Sequence, residues 1–165
     1  MDIKFILALR KVKAICDYQF GQAITNILFG DESEIQITFS RNTGKIKHIY
    51  RDNNLLLNLR PTNGFFTLSL FSAQRIINNI PSPKLRAVVI SEISEFIRKG
   101  RNVFCKHVID IDNTLRPNDE VIVVNQNNDL LAIGKVVIPV PYIMSFQTGI
   151  ALKIRKGIGK SKLYT

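Results

Sequence analysis

The sequence predicts an α+β protein of two small domains, the first with helices on a small antiparallel sheet and the second a closed β-barrel. Apolar residues first recur at helical spacing, and the period changes to two at Glu34, where tight polar turns separate short strands. Beyond the stiff linker Pro81-Ser82-Pro83, about five short strands follow within about 75 residues, which is typical of a small barrel. We therefore expect domains at 1–80 and 84–158, followed by a basic tail at 159–165.

Two helices are predicted at the N-terminus. The first covers residues 3 to about 16, with Asp2 as a possible N-cap. Its apolar face consists of Phe5, Leu9, Val12 and Cys16. The segment 17–21 breaks the helical pattern, and a second short helix is predicted from Gln22 to Phe29.

Four strands of an antiparallel meander follow these helices. In the first, apolar Ile35, Ile37 and Phe39 alternate with polar residues, as in a strand with one buried face. The strands are predicted at 34–39, 45–51, 55–59 and 65–68. The turns between them are rich in Asn, Asp and Gly, so consecutive strands pair directly. A helix over 70–79 is predicted to pack on this sheet.

The second domain opens with a strand at 87–90 and a short helix. We expect Ser91 to cap the start of this helix and Gly100 to end it in a left-handed conformation. Its apolar face is predicted to contain Ile93, Phe96 and Ile97. Residues 101–108 alternate between apolar and polar, which predicts one half-buried strand directly after the glycine.

The rest of the second domain is predominantly β. Strands are predicted at 120–124, 130–137 and 150–155, with one helical turn at 141–146. Gly134 lies inside a strand pattern, where a glycine indicates a bulge or a close backbone approach.

The overall charge favours a polyanionic partner. The chain has 165 residues with 23 Lys and Arg against 13 Asp and Glu, a net charge of +10. Nucleic acid is the usual partner of such a chain, and a membrane surface is the less frequent one. Lys99, Arg101 and Lys106 surround Gly100 at the predicted helix-to-strand junction, where a phosphate or a nucleic-acid end would fit. The alternative is an ordinary solvated basic turn.

A second cationic row is predicted on the second strand. Lys45, Lys47 and Arg51 lie at even spacing, with Arg41 in the adjoining turn. This row either extends a nucleic-acid contact or forms the solvated face of the sheet.

No metal, cofactor or catalytic site is predicted. Cys16 and Cys105 lie far apart, in apolar contexts and outside any metal-binding spacing, so both are expected to be buried thiols. The acidic residues between 110 and 120 lack the ligand spacing of an EF-hand. His48 and His107 have no nearby carboxylate or serine in sequence. Charges interrupt every apolar run, and the N-terminus lacks the order of a signal peptide, so we expect a cytoplasmic protein without a membrane partner.

Four short segments resemble a known family. Residues 98–104, 115–121, 131–134 and 149–151 are similar to the PUA domain, the small RNA-binding barrel named after pseudouridine synthases and archaeosine transglycosylases. Upstream, four more segments resemble the part that precedes the PUA domain in archaeal tRNA-guanine transglycosylase. These are residues 10–14, 17–21, 43–46 and 63–68. The resemblance covers nearly the whole chain.

The resemblance implies that the chain binds tRNA but does not catalyse the reaction of the full-length enzyme. The full-length enzyme of this family has a large barrel with catalytic aspartates and a zinc site, for which 165 residues leave no room. Carried over by position, the RNA-binding residues would be Lys99, Gly100, Arg101, Asn102, Phe104, Lys106, Arg155 and Lys156. Phe104 would either stack on a base or belong to the core of its strand.

The expected role is an accessory one. The resemblance implies that the protein presents tRNA to a separately encoded catalytic enzyme of archaeosine-type modification. One alternative is a PUA-type factor of ribosome biogenesis or translation. Another is an enzyme that uses Asp17, Cys16 or the basic cluster, although no pairing of nucleophile and base supports it. The sequence does not fix the oligomeric state.

Overall fold

The computed structural model describes residues 2–160 of the chain. The chain divides into two units, Met1–Asn79 and Ile80–Thr165, called here the N-terminal unit and the C-terminal unit. The predicted basic tail at 159–165 lies outside the described residues from position 161 onward.

The first helix of the N-terminal unit, α1, covers Ile3–Phe20 and begins at Asp2, whose carboxylate accepts a hydrogen bond from the Lys4 N–H at 3.2 Å. The predicted end near residue 16 is wrong, because buried Phe20 extends the apolar face of the helix by one more turn. Gly21 ends it at φ 94°, with its N–H donating to the Asp17 carbonyl. The next helix, α2, covers Gln22–Phe29, as predicted.

The predicted meander is confirmed. Strands β1 (Ile35–Phe39), β2 (Ile46–Arg51), β3 (Asn54–Leu59) and β4 (Phe66–Leu68) pair antiparallel in the order β1-β2-β3-β4. Helix α3 covers Leu70–Asn79, as predicted. The hydrophobic core of this unit includes Leu28, Ile49, Leu57, Phe66 and Ile76, each at most 1% exposed. Because these residues come from all parts of the unit, the helices and the sheet share one core.

Arg51 corrects the predicted cationic row on β2. Its side chain is buried, and its Nε donates to Glu34 Oε2 at 2.8 Å. Its Nη1 also donates to the carbonyl oxygens of Ile27 and Leu28 at the end of α2. Arg51 therefore ties β2 to α2 and does not belong to the solvated row, because the α2 carbonyls and Glu34 cover this end of the strand.

Between residues 80 and 160, the C-terminal unit contains six strands in one sheet, in the order β6-β10-β9-β8-β5-β7. They are β5 (Arg86–Val89), β6 (Val103–Phe104), β7 (Val108–Ile111), β8 (Glu120–Val124), β9 (Leu130–Val136) and β10 (Ile150–Gly157). Two short helices complete the unit, α4 at Ser94–Arg98 and α5 at Val140–Ser145. All pairs are antiparallel except β5 with β8.

The two edge strands of this sheet are joined by a single turn. The predicted strand over 101–108 is wrong, because β6 and β7 are separated by a 3-10 turn at Cys105–His107. The Cys105 N–H donates to the Gly149 carbonyl and the Ile90 N–H donates to the His107 carbonyl, which anchors both ends of the turn. Since β6 lies at one edge and β7 at the other, the turn brings the edges together and the sheet forms a nearly closed barrel, as predicted.

The helix before the glycine also differs from the prediction. Ser91–Ile93 is a 3-10 turn, and α4 begins only at Ser94. Ser91 does not cap α4, because its hydroxyl accepts a hydrogen bond from the Gln126 N–H. Ile97 is 2% exposed whereas Phe96 is 61% exposed, so the predicted apolar face is wrong for Phe96. A helix of five residues makes little more than one turn, so only part of it faces the core.

Asp112 fastens the end of β7 to the start of β5. Its Oδ2 accepts the Leu85 N–H at 2.7 Å, and its Oδ1 accepts the Thr114 hydroxyl at 2.7 Å and N–H at 3.0 Å. Burial raises the pKa of this carboxyl, but the hydrogen bonds from Leu85 and Thr114 outweigh burial and hold the pKa below its ordinary value.

This arrangement predicts acid-sensitive stability for the C-terminal unit. Because the folded-state pKa of Asp112 is lowered, its contribution is complete above the ordinary carboxyl range, near pH 4, and is lost as the pH falls through the lower folded-state value. We expect Asp112→Asn to lower the free energy of unfolding by about 1–3 kcal/mol at neutral pH, and less in acid. Urea titrations of both proteins at neutral and acidic pH measure this difference. A difference independent of pH would contradict the assignment.

Candidate nucleic-acid interface

Residues 99–102, called here the glycine turn, connect α4 to β6. Gly100 has φ 93°, and its N–H donates to the Ile97 carbonyl at 2.9 Å while the Arg101 N–H donates to the Phe96 carbonyl at 3.1 Å. This pair of hydrogen bonds is a Schellman motif, as the glycine in the sequence predicted. It leaves the Lys99 and Arg101 side chains exposed on either side of a glycine.

The glycine turn is held against the last strand, β10. A Cβ added at Gly157 would lie 2.1 Å from the Arg98 carbonyl oxygen and 2.8 Å from the Gly100 nitrogen, so only glycine permits this approach. Asn102 Oδ1 accepts the Ile154 N–H at 3.0 Å. Its amide therefore positions the turn on β10, which is a structural task for one of the predicted RNA-binding residues.

Besides Arg155, six exposed cationic side chains lie on the glycine turn, the 3-10 turn and β10 with the residues after it. They are Lys99, Arg101, Lys106, Lys153, Lys156 and Lys160. The Lys160 Nζ lies 3.3 Å from the position that a Cβ at Gly100 would occupy. Lys153 and Lys160 were not among the predicted site residues. The position of Lys153 in the predicted strand over 150–155 was the available signal for this residue, but Lys160 approaches Gly100 only through tertiary packing.

Arg155 occupies a different environment from these six side chains. It lies at a β-bulge, since Ile154 pairs with Gly134 and Lys156 with Ile133. Its guanidinium forms two contacts with the Glu120 carboxylate, at 2.9 Å and 2.7 Å, and the Glu120 side chain is 1% exposed. Arg155 therefore neutralises a buried carboxylate on β8, and this pairing competes with an RNA contact.

The expected close approach at Gly134 is found at the same place. A Cβ at Gly134 would lie 2.2 Å from the Lys153 carbonyl oxygen. Because Gly134 has no side chain, β10 approaches β9 closely at this position, beside the bulge.

Phe104 is 45% exposed, which excludes the core role considered from the sequence. It pairs with Ile150 in β10 and its ring meets the His107 ring edge-on at 6.4 Å between centroids. Tyr142 on α5 and Phe146 directly after this helix, which sequence reasoning missed, are also exposed, and their rings stack at 5.4 Å between centroids. Exposed aromatic rings beside cationic residues can stack on nucleobases.

The combined chemistry is that of phosphate and base recognition. Exposed Lys99 and Arg101 can neutralise phosphates, and the Lys160 side chain beside Gly100 adds a further cation. Phe104 adds a flat apolar face. Within residues 2–160, no group of three or more His, Cys, Asp or Glu side chains is arranged to hold a metal ion. None of the helices in the same range has the length and apolar character needed to cross a membrane.

The two cysteines are buried free thiols. Burial raises the pKa of Cys16 to about 11, against a smaller opposing effect of a hydrogen bond with Thr25. Burial also raises the pKa of Cys105. At neutral pH both side chains are therefore protonated, the unreactive form of a thiol.

We expect Cys16 to resist alkylation in the folded protein. Iodoacetamide should modify it only after unfolding, because reaction needs both exposure and the thiolate. Mass spectrometry of native and urea-unfolded samples, treated for equal times near neutral pH, measures the difference. Equal modification in both samples would show that Cys16 is accessible and would reopen a catalytic role.

Two family models match successive parts of the chain. Residues 10–83 match the patch-forming domain C2 of tRNA-guanine transglycosylase, and residues 86–158 match the PUA domain.

Several archaeal proteins are similar over nearly the whole chain. The tRNA-guanine(15) transglycosylase of Methanobrevibacter smithii is 43% identical over 152 residues, covering 92% of this chain and 23% of the relative. The enzyme of the same name from Methanothermobacter thermautotrophicus is 41% identical over 149 residues, covering 90% of this chain and 22% of the relative. The chain thus spans under a quarter of the length of these relatives, and it is homologous to their C-terminal part.

Solved structures support the fold. A hypothetical protein from Pyrococcus horikoshii superimposes with a TM-score of 0.75 at 17% identity, covering 96% of this chain and 93% of the other. A conserved PUA domain protein from Thermoplasma acidophilum gives 0.57 at 16% identity over 79% of each chain. At such identities the likeness concerns the fold alone.

Proposed function

We propose that the chain binds tRNA, because its residues 10–83 match the patch-forming domain C2 of tRNA-guanine transglycosylase and its residues 86–158 match the PUA domain. The observation that carries the proposal is the glycine turn. It exposes Lys99 and Arg101 on a backbone that Gly157 and Asn102 fix in place, and exposed Phe104 lies on the strand that follows. A fixed cationic turn suits phosphate contacts, since little side-chain and backbone freedom is lost on binding.

The finer proposal concerns the role of this binding. The protein presents tRNA to a separate catalytic subunit of the archaeosine type, to which it contributes no reacting group. Binding to both tRNA and the enzyme would raise the effective tRNA concentration at the active site. The enzyme would then gain activity mainly at tRNA concentrations below saturation.

An apolar stripe on α1 supports a protein partner. The buried face of α1 includes Val12 and Cys16, whereas Ile3, Leu7 and Tyr18 are 73%, 59% and 82% exposed. At 100° per residue, these three side chains lie within about 60° of one another and on the side opposite the buried face. Exposed apolar side chains arranged in a row mark an interaction surface more often than scattered ones do.

The test uses a relative whose own C-terminal part can be removed. The transglycosylase of Methanobrevibacter smithii would be shortened to end before the region homologous to this chain, and guanine exchange into tRNA measured with and without this chain added. We expect the added chain to raise the rate of guanine exchange at low tRNA concentration and to have little effect at saturating tRNA. Leu7→Glu should abolish stimulation but retain tRNA binding, whereas Lys99→Glu/Arg101→Glu should lose both.

Two outcomes would contradict the accessory role. Stimulation unchanged by Leu7→Glu would show that the α1 stripe is not the contact. Tight tRNA binding without any stimulation would exclude presentation to such an enzyme and favour a role as a PUA-type factor of translation or ribosome assembly. A preference for ribosomal particles over free tRNA in sedimentation would then identify that role.

A further inference from the structure

An ion pair in the C-terminal unit holds Arg155, one of the residues that the family resemblance predicts at the RNA surface. The Arg155 Nη1 donates to Glu120 Oε2 at 2.9 Å, and the Arg155 Nη2 lies 2.7 Å from Glu120 Oε1. Because two nitrogens of one planar guanidinium engage both oxygens of the carboxylate, the pairing is bidentate and strongly directional. Since β9 lies between β10 and β8 in the sheet, the Arg155 side chain reaches across this strand to make the contacts.

The two partners of this ion pair differ in exposure. The Glu120 side chain is 1% exposed, whereas the Arg155 side chain is 36% exposed. Removing the partner of a buried charge costs more free energy than one additional hydrogen bond to a phosphate returns. Lys135 lies opposite Glu120 in the β8–β9 ladder, but a single ammonium does not match both carboxylate oxygens as a guanidinium does. Arg155 is therefore expected to remain on Glu120 when RNA binds nearby.

The position of Arg155 would otherwise suit a phosphate contact. The residue before it, Ile154, donates its N–H to Asn102 in the glycine turn at 3.0 Å. Lys153 and Lys156, on either side of Arg155 in β10, are both exposed. Arg155 thus directly follows a residue that holds the glycine turn, in a strand whose neighbouring cations face solvent.

We propose that Glu120 keeps Arg155 from contacting RNA and thereby limits the affinity of the surface around the glycine turn. A phosphate contact from Arg155 would strengthen binding to any RNA without adding sequence information. A lower affinity mainly speeds dissociation, which suits a protein that passes tRNA to an enzyme. The inference deepens the proposed function and rests on the chain binding tRNA.

The first experiment measures tRNA binding by Glu120→Gln in the full chain, by fluorescence anisotropy with labelled tRNA at several salt concentrations. The substitution keeps the shape of the side chain and removes its charge, so a phosphate becomes the stronger partner of Arg155. We expect the affinity for tRNA to rise about tenfold. The slope of log affinity against log salt should become steeper by roughly 0.7–0.9. Unchanged affinity and slope in the folded variant would overturn the inference.

The matched control is Glu92→Gln, which makes the same chemical change at an exposed carboxylate of the same unit. It is needed because Glu120→Gln also makes the net charge of the chain more positive. At moderate salt the control should change the affinity less than about twofold, since exposed charges are screened. An equal gain in both variants would attribute the effect to net charge and overturn the inference.

A double variant tests the inference without leaving a buried charge unpaired. Glu120→Gln/Arg155→Gln removes one charge of each sign, so the net charge remains +10 and the fold keeps a neutral polar pair. If Arg155 does not contact RNA in the wild-type chain, the double variant should bind tRNA within about twofold of wild type. A tenfold loss would show that Arg155 contacts RNA despite Glu120, and binding as tight as that of Glu120→Gln would show that the gain does not come from Arg155. Either result would overturn the inference. Circular dichroism verifies folding, and if Glu120→Gln does not fold, the double variant decides by itself.

Failure of this inference differs from failure of the proposed function. If Glu120→Gln binds tRNA like the wild-type chain while Lys99→Glu/Arg101→Glu loses binding, the inference about Glu120 is wrong and the proposed function stands. If the wild-type chain does not bind tRNA, both are wrong.

Discussion

Reversing the charges of Lys99 and Arg101 is expected to weaken tRNA binding at least 100-fold while leaving the fold intact. Both side chains are exposed, so Lys99→Glu/Arg101→Glu removes no buried contact. A hydrogen bond to a charged group contributes about 1.5–3 kcal/mol, and two lost contacts together exceed the factor of 100. The measurement is fluorescence anisotropy with labelled tRNA, with circular dichroism to verify folding.

The salt dependence separates a specific loss from a general one. The variant should also show a shallower slope of log affinity against log salt, by roughly 0.7–0.9 for each phosphate contact removed. Lys4→Glu/Arg10→Glu, which makes the same charge change at two exposed residues of the N-terminal unit, serves as the control. If this control lost as much affinity as the site variant, the glycine turn would not be the binding site.

Gly157→Ala is expected to destabilise the C-terminal unit by about 3 kcal/mol and to weaken tRNA binding with it. The added methyl would lie 2.1 Å from the Arg98 carbonyl oxygen, so either the end of α4 or the end of β10 must move. The glycine turn directly follows the end of α4 in the chain and packs against the end of β10, so movement of either element displaces the turn. Urea unfolding measures the stability, and the tRNA titration is repeated on the folded variant.

The matched control for this change is Gly44→Ala. Gly44 has φ 67° and no atom within 4 Å of an added Cβ, so its cost is only the left-handed backbone, about 1 kcal/mol. Its position in the N-terminal unit should leave binding at the glycine turn unchanged. Equal destabilisation by the two substitutions would show that the contact between Gly157 and α4 is looser than the structure indicates.

Local sequence signals predicted most of the elements and the glycine turn. The β1–β4 meander followed from alternation and from turns rich in Asn and Gly, which are short-range features. Gly100 was predicted as a left-handed C-cap for the same reason. The family resemblance added what periodicity does not contain, namely that the C-terminal unit is a PUA barrel.

Long-range packing accounts for the errors. Arg51 fits an exposed row by spacing, but the carbonyl oxygens of α2 and the Glu34 carboxylate draw it inward. Long-range packing also gives Arg155, a predicted RNA-binding residue, a partner that its neighbours in sequence do not indicate, since it lies at a bulge and pairs with Glu120 on another strand. The predicted strand over 101–108 is divided because its two halves form opposite edges of the sheet, with β6 paired to β10 and β7 paired to β5.

The roles of Gly157 and Lys160 also could not be read from their neighbours in sequence. Both depend on contact between the end of β10 and the glycine turn, which are more than 50 residues apart. Only the folded barrel brings them together.

A competition titration of the wild-type chain tests the central claim of tRNA recognition most directly. Labelled tRNA would be displaced by unlabelled intact tRNA, by tRNA lacking its 3′ end, by unrelated duplex RNA and by duplex DNA, at low and at high salt. Selective recognition predicts that intact tRNA competes best at both salt concentrations, and that this preference disappears in Lys99→Glu/Arg101→Glu. Equal competition by every polyanion, abolished alike by salt, would contradict the claim and attribute the binding to the net charge of +10.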